Sequence, residues 1–113
     1  MSVTIYHNPR CSKSRETLKI LQGKSLDLTI VEYLKEPLDR AQLIDLINKL
    51  GIDPSQLMRQ KECKELDIIT SSLDITEQIN TIAQNPKVME RPVVTSPKGA
   101  RICRPPEIVH EIL

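Results

Sequence analysis

The chain predicts an α/β fold, on three observations. Two short β-prone runs near the N-terminus flank a segment with helical spacing, the middle third reads as helices, and the C-terminal quarter reads as a strand hairpin followed by a last helix. The predicted order is β-α-β, several helices, β-β-α.

Val3 to Tyr6 is short, apolar and rich in β-formers, as expected of a buried central strand. From Ser12 to about Gln22, Leu18 and Leu21 share one helical face, and Gly23 supplies a stop signal. Leu26, Leu28 and Ile30 then alternate with Asp27, Thr29 and Val31, so a second strand is expected, parallel to the first and joined by a right-handed crossover. Beyond Pro37, Asp39 with Gln42 three residues later forms a capping-box pattern, Leu43, Leu46, Ile47 and Leu50 follow helical spacing, and Gly51 ends the run. Asp53-Pro54 opens a short helical turn read as carrying Leu57, Met58 and Arg59, with a further helical piece over Glu62 to Leu66. Asp74 and Glu77 repeat the capping pattern before Ile75, Ile79, Ile82 and Ala83, and Asn85-Pro86 closes that helix. Arg91 to Thr95 reads as a strand entered through Pro92, Ser96-Pro97-Lys98-Gly99 as a turn, and Ala100 to Cys103 as the returning strand. Pro105 and Pro106 suit the first turn of a last helix, whose stripe is Ile108, Val109, Ile112 and Leu113.

A chain of 113 residues fits one domain, 1–113, large enough to bury its own core. With no Phe or Trp and two Tyr, that core must be aliphatic. The same poverty in aromatic rings, with a net charge of +1, counts against nucleic-acid binding, which needs stacking platforms and a basic groove. No apolar run approaches the roughly 20 residues of a membrane span, and the N-terminus lacks the layout of a signal peptide, so a cytoplasmic protein with no membrane partner is expected. Cys11, Cys63 and Cys103 are odd in number and contain no CxxC pair, which suits neither a disulfide framework nor a metal site. Reduced thiols, no metal and no bound cofactor follow.

Chemistry concentrates in His7-Asn8-Pro9-Arg10-Cys11-Ser12-Lys13-Ser14-Arg15, where the first strand hands over to the first helix. Unpaired N–H groups and the dipole at a helix N-terminus favour a negative charge, and a thiolate is one. Arg10, Lys13 and Arg15 add cationic side chains against the single carboxylate of Glu16, so Cys11 is expected as a reactive thiolate rather than a core filler. Ser14 stands where a CxxC redox motif would carry its second cysteine, so any disulfide chemistry at Cys11 needs a thiol from elsewhere. His7 either tunes the thiol or hydrogen-bonds the loop. His110, remote from every motif, reads as a surface or packing residue.

Four motifs in this order resemble the glutaredoxin-coupled arsenate reductase family, in particular its arsenate-reductase-like branch: Tyr6 to Arg15, Leu57-Met58-Arg59, Glu90-Arg91-Pro92-Val93-Val94, and Arg101-Ile102-Cys103-Arg104-Pro105. The resemblance covers nearly the whole chain. It implies a thioredoxin-like fold with a helical insertion, Cys11 as nucleophile, and Arg59, Arg91 and Arg104 as the holders of the oxyanion. It further implies that His7, Ser14 and Arg15 support the cysteine and that Pro92 is the cis-proline opposite it. The implied reaction is reduction of arsenate to arsenite through a cysteine adduct, with glutathione as co-substrate and glutaredoxin as partner. Guanidinium groups suit such a tetrahedral oxyanion because they are permanently charged and bidentate.

The resemblance departs at the nucleophile, where arsenate reductases usually carry Pro-Ala-Cys-Gly-Thr-Ser-Arg and this chain has Pro-Arg-Cys-Ser-Lys-Ser-Arg. A glutathione-linked thiol oxidoreductase with another substrate is therefore one alternative. An Spx-like regulator that binds RNA polymerase is another, and Ser14 argues against its redox switch. A low-molecular-weight phosphatase loop needs an arginine six positions after the cysteine, where this chain has Thr17.

Overall fold

A computed structural model describes all residues, 1–113. They form two compact units, Met1–Glu36 with Arg91–Leu113, and Pro37–Glu90.

The first unit is built on a four-stranded sheet of order β2-β1-β3-β4, with β1 Ser2–Tyr6, β2 Asp27–Val31, β3 Val93–Ser96 and β4 Gly99–Ile102. β1 pairs with β2 in parallel, from Ser2↔Asp27 to Tyr6↔Val31, and with β3 antiparallel, from Thr4↔Thr95 to Tyr6↔Val93. β3 and β4 form the expected hairpin around Pro97-Lys98, where the Lys98 N–H donates to Ser96 Oγ at 3.0 Å. This is the thioredoxin-like plan, and the second unit is its helical insertion.

Alternation along β1 puts Val3 and Ile5 on the face that α1, Ser12–Gln22, helps to cover. They join Leu21, Val94, Cys103, Val109 and Ile112 in one aliphatic core, with Leu18, Ile20, Leu26 and Leu28 packed around it. Each large aliphatic chain buried there contributes about 1.5–3 kcal/mol. β2 departs from the predicted alternation: Leu28 packs against the core, but Ile30 is 45% exposed on β2, one of the sheet's two edge strands. The last helix is a 3-10 helix, Pro106–Ile112, that buries Val109 and Ile112.

In the second unit, α2 (Arg40–Leu50) and α4 (Ile75–Gln84) begin with the predicted capping boxes at Asp39/Gln42 and Asp74/Glu77. A third box, Asp53 with Gln56, starts a 3-10 turn over Pro54–Leu57. That turn ends before Met58, contrary to the expectation that it carries Met58 and Arg59. Met58 is extended and bridges Met89, while the Arg59 N–H donates to Val88 O and the Glu90 N–H to Leu57 O, both at 2.7 Å. Arg59 instead caps α3, Gln60–Glu65, which starts two residues earlier than the sequence suggests. No helix is long and apolar enough to cross a membrane.

The two helix-ending glycines are not equivalent. Gly51 has φ +67, a left-handed conformation that costs a non-glycine residue roughly 1–2 kcal/mol, whereas Gly23 has φ −77 and ends α1 without it. A Cβ at Gly51 would meet nothing within 4 Å, so strain alone is at stake. Gly51→Ala is expected to lower unfolding free energy in urea by about 1 kcal/mol, and Gly23→Ala to leave it unchanged or raise it by a few tenths.

Candidate active site

The register that pairs Tyr6 with Val93 and Val93 with Ile102 brings three strand termini to the same end of the first unit's sheet. The loop after β1, the segment before β3 and the segment after β4 meet there. They carry Cys11, Arg91 and Arg104.

The β1 loop is folded by its own polar groups. His7 N–H extends the ladder to Val31 O at 2.8 Å, Asn8 Oδ1 accepts from Arg10 N–H at 3.0 Å, and Asn8 O accepts from Cys11 N–H at 3.0 Å. Asn8 thus closes the turn through Pro9 that sets Cys11 down as the N-cap of α1, with extended φ −92 and ψ 122. Ser14, fully buried in the first turn of α1, holds the loop from behind. Its Oγ accepts the Asn8 N–H at 3.0 Å and lies 2.6 Å from His7 Nδ1. Burial holds His7 below the ordinary histidine range, against the nearby charge of Glu32. A neutral ring with its proton on Nε2 accepts the Ser14 O–H at Nδ1.

The sulfur of Cys11 is half-buried, and burial pushes its thiol up. The Ser14 N–H, hydrogen bonds from the Arg91 and Arg104 guanidinium groups and the charge of Arg91 outweigh that cost, leaving the pKa below the ordinary thiol value. Arg104 Nη1 is 3.5 Å from Sγ and also donates to Arg91 O at 3.1 Å, so the two arginine segments brace each other. Each arginine precedes a cis-proline, Pro92 as expected and Pro105 in addition.

The sequence points to Arg10, Lys13 and Arg15 as the cations beside the thiol, and the structure corrects this. Arg15 Nη1 donates to Pro9 O at 3.0 Å, bracing the loop, and Lys13 pairs at 3.8 Å with Glu16 on the exposed face of α1. Arg10 lines a cleft with Glu32 and Lys35. Side chains of a helix's first turn radiate outward, so proximity in sequence does not deliver them to the cap residue. The charges at the sulfur come from far along the chain instead.

Arg59 lies in the Pro37–Glu90 unit. Its Nε is 2.9 Å from Glu62 and its Nη1 3.0 Å from Glu90, and these two carboxylates, against the opposing effect of burial, raise its pKa. Neither partner is assigned to Arg59 from the sequence above, although Glu62 at i+3 on a helix start is a readable signal. Cys63 and Cys103 are buried free thiols, and burial raises Cys103 to about 12. At neutral pH iodoacetamide is accordingly expected to label Cys11 rapidly and leave Cys103 unmodified in the folded protein, as mapped by peptide mass spectrometry. No three His, Cys, Asp or Glu side chains come together as metal ligands.

A sequence model of the ArsC family matches residues 6–112. The chain belongs to the ArsC family. Among ArsC-like relatives, the uncharacterized protein YfgD of Escherichia coli is 51% identical over 98% of this chain and 96% of that protein. An arsenate reductase of Rhizobium meliloti is 40% identical over 100% of this chain and 82% of the relative. The solved structure of an arsenate reductase from Vibrio cholerae superposes with a TM-score of 0.93 at 41% identity, over 100% of this chain and 98% of the other.

Ser14→Ala would strand two buried partners at once, the Asn8 N–H and the His7 ring. A loss of roughly 1–3 kcal/mol for each group left unsatisfied is expected in urea unfolding, and Ser14→Thr, which keeps the hydroxyl, should lose less.

Proposed function

We propose that this protein reduces arsenate to arsenite, with Cys11 as the nucleophile, glutathione as co-substrate and glutaredoxin as the partner that resets it. The observation that carries the reading is the environment of one sulfur: a thiol at a helix N-terminus, with a backbone N–H and two guanidinium groups directed at it. A thiolate is the nucleophilic form, and the same guanidinium groups suit an incoming oxyanion. Arsenate reductases among the relatives supply the substrate class.

The Cys11 thiolate attacks arsenic and displaces one oxygen as water, forming a sulfur–arsenic bond. Glutathione thiolate then attacks the Cys11 sulfur, and the electron pair of the sulfur–arsenic bond moves to arsenic. Two thiols become one mixed disulfide while arsenic gains two electrons, so the step balances. Glutaredoxin takes the glutathionyl group and frees Cys11. Arg91 and Arg104 stabilise both thiolate and oxyanion, and His7, Ser14 and Arg15 act as positioning residues through the loop. The cytoplasm, where thiols are kept reduced, is the compartment this cycle needs.

Coupled oxidation of NADPH by glutathione reductase tests the reading. Consumption is expected only when arsenate, glutathione and glutaredoxin are all present. Full activity without glutaredoxin would remove that partner, and none with all components present would remove arsenate as substrate. One observation favours a second reading, a glutathione-linked thiol oxidoreductase: two carboxylates on Arg59 offset its charge, which weakens it as a holder of an anion.

A further inference from the structure

Beside the cysteine loop, His7, Asn8, Pro9 and Arg10 face Glu32, Leu34 and Lys35 across a cleft of about 290 Å³. We propose that this cleft seats the amino-acid end of the peptide thiol that reacts at Cys11, with Arg10 taking its α-carboxylate and Glu32 its α-ammonium. The inference deepens the proposed function, resting on its use of a glutathione-like thiol.

Three features support the assignment. The cleft holds charges of both signs in a small space, two cations and one carboxylate, which matches a zwitterion rather than a simple anion. Asn8 Oδ1 accepts the Arg10 N–H at 3.0 Å and so holds the backbone that carries the Arg10 side chain, and burial lowers the pKa of His7, which disfavours a competing imidazolium charge. Glu32 is held only loosely by its one ion-pair partner, Lys35, at 3.7 Å with both side chains substantially exposed, so an incoming ammonium can displace that lysine at little cost.

Arg10 is the residue before Cys11, with consecutive Cα atoms about 3.8 Å apart, so the cleft that it lines adjoins the nucleophile in the chain. Leu34, exposed at the rim, offers the aliphatic part of the peptide an apolar surface.

Thiol–disulfide exchange tests this without arsenate. The Cys11 thiolate attacks glutathione disulfide, one sulfur–sulfur bond forms as another breaks, and glutathione thiolate leaves. The rate of that reaction, divided by the rate with neutral 2-hydroxyethyl disulfide, cancels any change in thiolate reactivity and reads recognition alone. The ratio is expected to fall about tenfold in Arg10→Ala and in Glu32→Gln, the scale of one charge-assisted hydrogen bond. Glu32→Gln decides the matter. Long-range attraction of an anionic disulfide would make the ratio rise when a carboxylate is removed, whereas loss of the ammonium's partner makes it fall. A fall in both variants supports the cleft, and an unchanged or raised ratio in either overturns it. The outcome is independent of arsenate turnover: a fall in both variants of a chain that makes no arsenite would keep the cleft and remove the arsenate reading.

Discussion

Cys11→Ser is expected to abolish arsenate-dependent turnover, lowering it by at least about 10³-fold, while leaving the urea midpoint nearly unchanged. A serine hydroxyl fits the space of the thiol and, at the N-cap of α1, can accept the Ser14 N–H that is directed at the sulfur. What it loses is ionisation near neutral pH. Neither remaining thiol replaces Cys11, because Cys63 and Cys103 are both buried and Cys103 is pushed up to about 12. Residual turnover comparable to the native protein would place the chemistry at another residue.

Arg104→Ala is the second large effect. It removes the guanidinium 3.5 Å from the Cys11 sulfur and the brace to Arg91 O, without opening a core, since Arg104 is exposed. The pH profile of Cys11 alkylation reads the result. In the native protein its midpoint is expected below the ordinary thiol value, and in Arg104→Ala it should move up, slowing alkylation near neutral pH several-fold. Arsenate turnover should fall further than alkylation, because the same group is the proposed holder of the oxyanion. The sign of the linkage is fixed: a thiol whose folded pKa is depressed adds stability that is fully present above its unfolded pKa. That increment is lost as the pH falls through the folded pKa. An unshifted alkylation profile would mean that Ser14 N–H and Arg91 suffice.

Elements with local signals were legible in the sequence. Asp39/Gln42 and Asp74/Glu77 name their helix starts because a capping box is satisfied within four residues. Cys11 could be placed at a helix N-terminus because Pro9 and the Leu18/Leu21 spacing bracket it. What failed depended on distant partners. Ile30 alternates correctly yet lies exposed, since strand order, not strand pattern, decides which strand becomes an edge. Arg10, Lys13 and Arg15 seemed to surround the thiol because they are its sequence neighbours, while Arg91 and Arg104 reach it through hairpin register. Arg59 reads as a free cation until Glu90, 31 residues away, is seen beside it.

The most direct test is to quantify arsenite itself. Native protein incubated with arsenate and glutathione alone should form arsenite up to one equivalent per Cys11 thiol and stop, with Cys11 carrying a glutathionyl group in the intact mass. Added glutaredoxin should then restart the reaction. A protein that forms no arsenite, although its Cys11 alkylates readily at neutral pH, would contradict arsenate as the substrate and leave a reactive thiol serving another oxidant.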